Sequence, residues 1–285
     1  MKMPTVEPAQ DEVNDKAGKA YWDTVWTANE VPQAVDPRNR NINNFVNRRL
    51  HRFFQETFAG LPERADGKRR LLEIGCAQSA WLPYFHREFG FEVCGLDYSE
   101  LGCEQERKVL AQAGVQGEVV CADLFAPPGG LQNSFDAVVS FGVVEHFQDT
   151  AGCIEAFAAY LAPGGIVVTI IPNMNGVTGW TQRKLNRAVY DIHVPLNAPE
   201  LGEAHRKAGL EVLQNGYFLF TNFGIPNLNG LDENAPSTQR RRKLLLWLTR
   251  LSKIIWLWED HLFRFPVNRW TSPLITCVAR KRDGR

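Results

Sequence analysis

Hydrophobic positions along the chain change rhythm near residue 70. Before it, apolar and aromatic residues recur at helical spacing, first in "AYWDTVW" and then in "NNFVNRRLHRFFQETF", where Phe45, Leu50, Phe53, Phe54 and Phe58 share a face. After it, short apolar runs alternate with amphipathic segments. The runs predict strands at 71–74, 91–96, 117–121, 135–140 and 166–171, and the segments between them predict helices at about 80–89, 100–113 and 150–161. Strand–helix alternation predicts a parallel sheet covered on both faces, with right-handed crossovers. "APGG" at 162–165 reads as a helix stop and turn before the fifth strand. A further helix starts near Pro199 and ends before Gly209, and "GLEVLQNGYFLF" and "PLITCVARKR" read as two more strands.

Two regions do not fit the alternation. Residues 1–17 are polar, without an apolar leader, and predict a mobile tail on a cytoplasmic protein. Residues 222–271 form an insertion. Within it Leu244, Trp247, Leu248, Leu251, Ile254, Ile255, Trp258 and Leu262 make a helical stripe preceded by four basic residues. The stripe predicts a lid over the molecule or a homodimer contact. A membrane-surface helix is the less favoured reading, because Glu259, Asp260 and overall neutrality weaken attraction to lipid. The expected organisation is an N-terminal aromatic arm over 1–65, a sheet domain over 66–221 and 272–285, and the insertion between.

Composition narrows the chemistry. Lys plus Arg and Asp plus Glu each number 32 in 285 residues, so the chain lacks the basic excess of a nucleic-acid binder. The six cysteines form no CxxC pair, and no metal site is expected.

In a doubly wound sheet the ligand lies beyond the carboxyl ends of the strands. Gly75 follows the first strand, Asp97 the second, Asp123 the third, and Glu145 and His146 the fourth. An acid at the second strand end can accept both ribose hydroxyls of an adenosine ligand. "GCAQSA" lacks the G-x-G-x-x-G spacing that lets backbone approach a pyrophosphate.

The segments "LLEIGCAQS", "VCGLDYS", "VVCADLF", "SFDAVVSFGVVEHF" and "YLAPGGIVVTIIPN" resemble, in order and spacing, the class I S-adenosylmethionine-dependent methyltransferases. The resemblance implies an α/β fold, a doubly wound, mostly parallel seven-stranded Rossmann-like sheet whose last strand is antiparallel. It implies S-adenosyl-L-methionine as cofactor. Glu73 and Gly75 would lie beside its methionine part, with Ala77 tolerated at negative φ. Ser79 would donate to the methionine carboxylate or cap the next helix. Asp97 would bind the ribose and Tyr98 lie beside the adenine. Asp123 would contact the adenine amino group and Leu124 pack on the ring. Ser140, Phe141 and Gly142 would lie along the sulfonium.

His146 is the candidate general base and Glu145 a second catalytic or binding group. Tyr21, Trp22 and Trp26 would fold over the site, and Trp180, Tyr190 and His193 would wall the substrate pocket. The acceptor is expected to be a small molecule, not nucleic acid. The alternative is a cofactor-binding pseudo-enzyme that holds a partner through residues 222–271.

Overall fold

Seven apolar runs pair into one sheet. The strands are β1 (Arg70–Ile74), β2 (Glu92–Asp97), β3 (Gly117–Cys121), β4 (Phe135–Phe141), β5 (Leu161–Pro172), β6 (Glu211–Phe218) and β7 (Leu274–Arg280). The structure, a computed structural model, describes residues 15–282 apart from 29, 63, 65 and 66. Strand order is β3-β2-β1-β4-β5-β7-β6, and β7 runs antiparallel to both neighbours. The remaining pairings are parallel. Central strands are buried on both faces, which is why they read as continuous apolar runs rather than as alternation.

Side chains of successive strand residues enter opposite layers. Leu72, Ile74 and Val138 pack with Ile154 and Phe157 of α5 (Thr150–Tyr160) and Leu201 of α8 (Ala198–Lys207). Leu71, Val93 and Val139 pack on the other face with Phe53, Phe54 and Phe58 of α2 (Phe45–Phe58), and with Leu82 and Phe85 of α3 (Leu82–Phe89). Helix α2 is therefore a layer of the sheet domain, and the separate arm shrinks to α1 (Lys19–Ala28) and the residues leading into it.

Local chemistry sets the helix ends. Ser99 caps α4 (Glu100–Ala113) by accepting the Gly102 N–H. Asn197 and Glu200 form a reciprocal capping box on α8. The expected turn at "APGG" is not outside the sheet. Leu161 already pairs with Phe135, and the register slips before Ala137 meets Ile166, so the glycines sit in an irregular start of β5.

Of the polar tail, residues 1–14 lie outside the described residues. Asp15–Ala17 are fastened: Asp15 bridges Phe147, and the Lys16 N–H donates to the His146 carbonyl at 2.9 Å. After β5 come α6 (Val177–Leu185) and α7 (Arg187–Asp191). The insertion contains one long helix, α9 (Pro236–His261). Of its predicted stripe, Leu244, Trp247, Ile254, Trp258 and Leu262 face outward, and Leu248, Leu251 and Ile255 are half-buried. Thr238, Ser252, Trp256 and Glu259 are buried instead, while Trp247 and Trp258 stand in solvent. The stripe is thus not an intramolecular lid.

Candidate active site

Between β1 and β4 the strand order reverses, and a cavity of about 800 Å³ opens at the carboxyl ends there. Ile74, Gly75, Leu96 and Asp97 form its floor, and Phe141, Gly142, Val143 and His146 one wall. Gly75 has φ +75°, and a Cβ on it would come within 2.6 Å of Val143 Cγ2. An L side chain there would be both strained and in collision, so this glycine is required. Gly142, at φ +69°, makes the matching turn after β4.

The loop after β1 is not a phosphate cradle. Its N–H groups are already engaged: Gly75 and Cys76 donate to the Leu96 carbonyl, Ala77 to Asp97 Oδ2 at 3.2 Å, and Ser79 to Glu106 Oε2 at 2.6 Å. Carboxyl groups rather than cations surround it. Burial pushes Glu73 up to about 8 and Glu106 up to about 9, and each keeps one oxygen without a partner. Both therefore hold a proton at neutral pH.

Asp97 lines the cavity from the end of β2, with Oδ1 accepting the Ser99 N–H at 2.8 Å. Burial raises its pKa to about 6, and the backbone donors act against that rise. It is ionised at pH 7 and has acceptor capacity left. Tyr98 lies beside it and donates its hydroxyl to Asp15 Oδ2 at 3.0 Å. Asp123, Leu124 and Phe125 form the far wall, and Asp123 Oδ1 accepts the Phe125 N–H.

Four residues expected at the cofactor stand behind the wall. Glu73 and Ser79 bond to each other at 2.7 Å, and the Ser79 oxygen also accepts the Trp81 and Leu82 N–H groups, so this serine takes the helix-capping role. Ala77 is buried outside the cavity and, unlike Gln78 (φ +53°), does not adopt a positive φ. The left-handed position in this loop belongs to Gln78, which the glycine spacing did not reveal. Ser140 is fully buried in β4, outside the cavity lining, with its hydroxyl unpartnered.

Helix α1 roofs the cavity. Trp22 and Trp26 both line it, stacked at 5.5 Å, and Trp22 meets the His146 ring edge-on at 5.1 Å. Hydrogen bonds tie the roof down: Ser99 Oγ donates to Asp23 Oδ1, Gln78 Nε2 and Gln105 Nε2 both donate to the Trp26 carbonyl, and Lys16 Nζ donates to the His193 carbonyl at 2.8 Å. Tyr21 falls outside the lining.

His146 reaches the cavity with a fixed tautomer. Its Nδ1 lies 3.0 Å from the Ile192 carbonyl oxygen, so Nδ1 carries the hydrogen and Nε2 keeps a lone pair. Burial drops its pKa to about 4, which corrects the expectation of titration near neutrality. His193 repeats the pattern through the Val189 carbonyl at 2.7 Å, and the two rings lie 4.6 Å apart. Glu145 is buried beside them, raised to about 8 by burial, with neither carboxyl oxygen partnered. Donor atoms of Glu145, His146 and His193 all fall within 4.8 Å of one another and could hold a metal ion. Sequence spacing could not show this set, because His193 arrives from after β5. Trp180 is 63% exposed and Tyr190 packs under Arg183, and neither lines this cavity.

The family model for a methyltransferase domain matches residues 39–215. The ubiquinone biosynthesis O-methyltransferase of Ruegeria pomeroyi is 27% identical over 230 residues, covering 76% of this chain and 87% of that protein. The enzyme of the same name from Thiobacillus denitrificans is 30% identical over 155 residues, 50% of this chain and 65% of that protein. Geranyl diphosphate C-methyltransferase from Streptomyces coelicolor A3(2) shares the fold at a TM-score of 0.56 and 12% identity, covering 98% of this chain and all of that one. A SAM-dependent methyltransferase from Archaeoglobus fulgidus does so at 0.51 and 18%, covering 84% and 94%. With a family match across more than half its length and the sheet order that fold requires, the chain belongs to the class I S-adenosylmethionine-dependent methyltransferases.

Proposed function

We propose that this methyltransferase acts on a small organic acceptor held in the cavity under α1. The observation that carries the reading is the roof. A cavity of about 800 Å³, closed by Trp22 and Trp26, must hold the cofactor and the reacting part of the acceptor together. That volume falls in the range of small-molecule pockets, about 300–1,000 Å³. The relatives' names favour oxygen as the first acceptor atom to test.

The residues present fit S-adenosylmethionine. Asp97 is ionised and offers free lone pairs to vicinal hydroxyls, and Tyr98 and Leu124 flank the space for a flat base beside Asp123. Gly75, Phe141 and Gly142 leave room at the other end for the amino-acid part. Asp15, Asp23, Asp97 and Asp123 line the cavity against the single cation Lys19, which suits a cationic ligand without phosphates. When bound, S-adenosylmethionine supplies an electrophilic methyl group.

This chain's own contribution is position and dryness. Trp22 and Trp26 exclude water and offer ring faces to a cationic centre. The neutral His146 Nε2 accepts a hydrogen bond from the acceptor's O–H or N–H and holds that atom in line. The protonated Glu145 and the neutral His193 beside that imidazole, with the Lys16 ammonium near both rings, keep it uncharged. Glu73, Ala77, Ser79 and Ser140 shape the floor from behind.

The test is transfer of a labelled methyl group from S-adenosylmethionine to apolar phenols and catechols, against duplex DNA, transfer RNA and unfolded protein. Labelling of a small acceptor is the expected result. Labelling confined to the polymers would overturn the reading.

A further inference from the structure

Helix α9 exposes an apolar stripe that neither the core nor the cavity uses. Its inner side is fixed by Trp256, which stacks on Phe45 at 5.3 Å and donates its indole N–H to the Thr221 carbonyl at 2.8 Å. Ser252 adds a bond from the Phe223 N–H at 2.9 Å. At 100° per residue the opposite arc carries Leu244, Trp247, Leu251, Ile254, Trp258 and Leu262. Leu244, Trp247, Ile254 and Trp258 are each 50–59% exposed and Leu262 is 71% exposed.

The charges on that arc have one sign. Arg240, Lys243 and Arg250 share it, all exposed, and no Asp or Glu of α9 does. The two acids that argued against lipid in the sequence point elsewhere. Glu259 is buried and accepts the Phe265 N–H at 3.2 Å. Asp260 lies toward the opposite flank and pairs with Arg48. Formal neutrality of the whole chain therefore hides a local excess of positive charge around the stripe.

We propose that α9 docks this methyltransferase on an anionic phospholipid surface, lying in the plane of the interface. The Leu and Ile side chains enter the acyl boundary and the two tryptophans sit at headgroup level. Arg240, Lys243 and Arg250 meet the phosphates. Charge complementarity favours this occupant over a second copy. Parallel two-fold pairing of α9 would set the same cations against each other, and antiparallel pairing would set Arg240 and Lys243 against the apolar C-terminal half, with no carboxylate on the arc to answer them in either case. No helix among the described residues is long and apolar enough to cross a bilayer, so the contact is with one leaflet. The proposal does not depend on which acceptor is methylated.

The experiment is flotation of the full chain with vesicles of phosphatidylcholine alone and of equal phosphatidylcholine and phosphatidylglycerol, beside sedimentation velocity without lipid. The chain should float with the anionic vesicles, not with the neutral ones, and should release at high salt. Replacing Arg240, Lys243 and Arg250 by Gln should weaken partition about fivefold per residue. The Trp247→Ser/Trp258→Ser variant should stay in the heavy fraction while melting at the wild-type temperature, since both positions are on the surface. Absence of flotation at low salt, equal flotation by the tryptophan variant, or a lipid-free dimer that this variant dissociates would each overturn the proposal.

Discussion

Asp97→Asn isolates one charge at the centre of the cavity. In the wild type both carboxylate oxygens already accept a backbone N–H, from Ala77 and Ser99, and keep lone pairs toward the cavity. The amide removes the negative charge and turns an N–H₂ toward one of those donors. Loss of two charge-assisted hydrogen bonds to ribose hydroxyls, partly offset by the remaining amide oxygen, should cost about 2–4 kcal/mol of cofactor affinity. That corresponds to about 30- to 1000-fold in Kd. A pH signature accompanies it. The free protein's Asp97 has a pKa raised by burial to about 6, and the ligand binds the ionised form. Wild-type affinity should therefore weaken as pH falls from 7 to 5, approaching tenfold per unit at the acidic end, whereas the variant should show no such slope. Calorimetric titration with S-adenosylhomocysteine across that range measures both. Unchanged affinity at pH 7.5, or a slope that survives in the variant, would refute the placement of Asp97 at the ribose.

Two further outcomes follow from the buried ionisable groups. Burial holds His146 near 4, so kcat should be flat from pH 6 to 8 rather than bend near 6.5, and His146→Gln should lower it about 100-fold. A bend near 6.5 that vanishes in this variant would show the burial argument to be mistaken. Glu73, Glu106 and Glu145 retain protons that the unfolded chain releases above its ordinary value of 4.5. Stability should then fall as pH rises, by about 1.4 kcal/mol per unit for each group until its folded value is reached. The buried histidines add an opposing slope that fades by about pH 7.5, one unit above their unfolded value of 6.5, so the window from 7.5 to 8 reports the carboxyl groups. Thermal melts of Glu106→Gln should show a shallower decline over that window, and an unaltered decline would count against a protonated Glu106.

The sheet could be read from the sequence because parallel strands buried on both faces become short apolar runs such as Phe135–Phe141 at regular intervals. Strand ends carried the site for the same reason: Asp97 is a charge placed directly after an apolar run. Two things were hidden. Periodicity groups Leu244, Trp247 and Trp258 on one face of α9, but it does not say whether that face is covered. Here Ser252, Trp256 and Glu259 meet the core, and the stripe looks outward. Tertiary partners were the second. Ser79 was open to two roles until Glu73 and Glu106 came within bonding distance of its loop. His193 gained its neighbour His146 only when the chain after β5 folded back over β4.

The ties that hold α1 over the cavity have a kinetic meaning. Lys16 is joined to His146 and His193, Asp23 to Ser99, and Trp26 to Gln78 and Gln105, by one or two hydrogen bonds at each place. On the proposed placement, a spent cofactor under Trp22 and Trp26 leaves only when they release. Cofactor exchange and arm opening are then one event, and the residence time of the product is the lifetime of that closed arm.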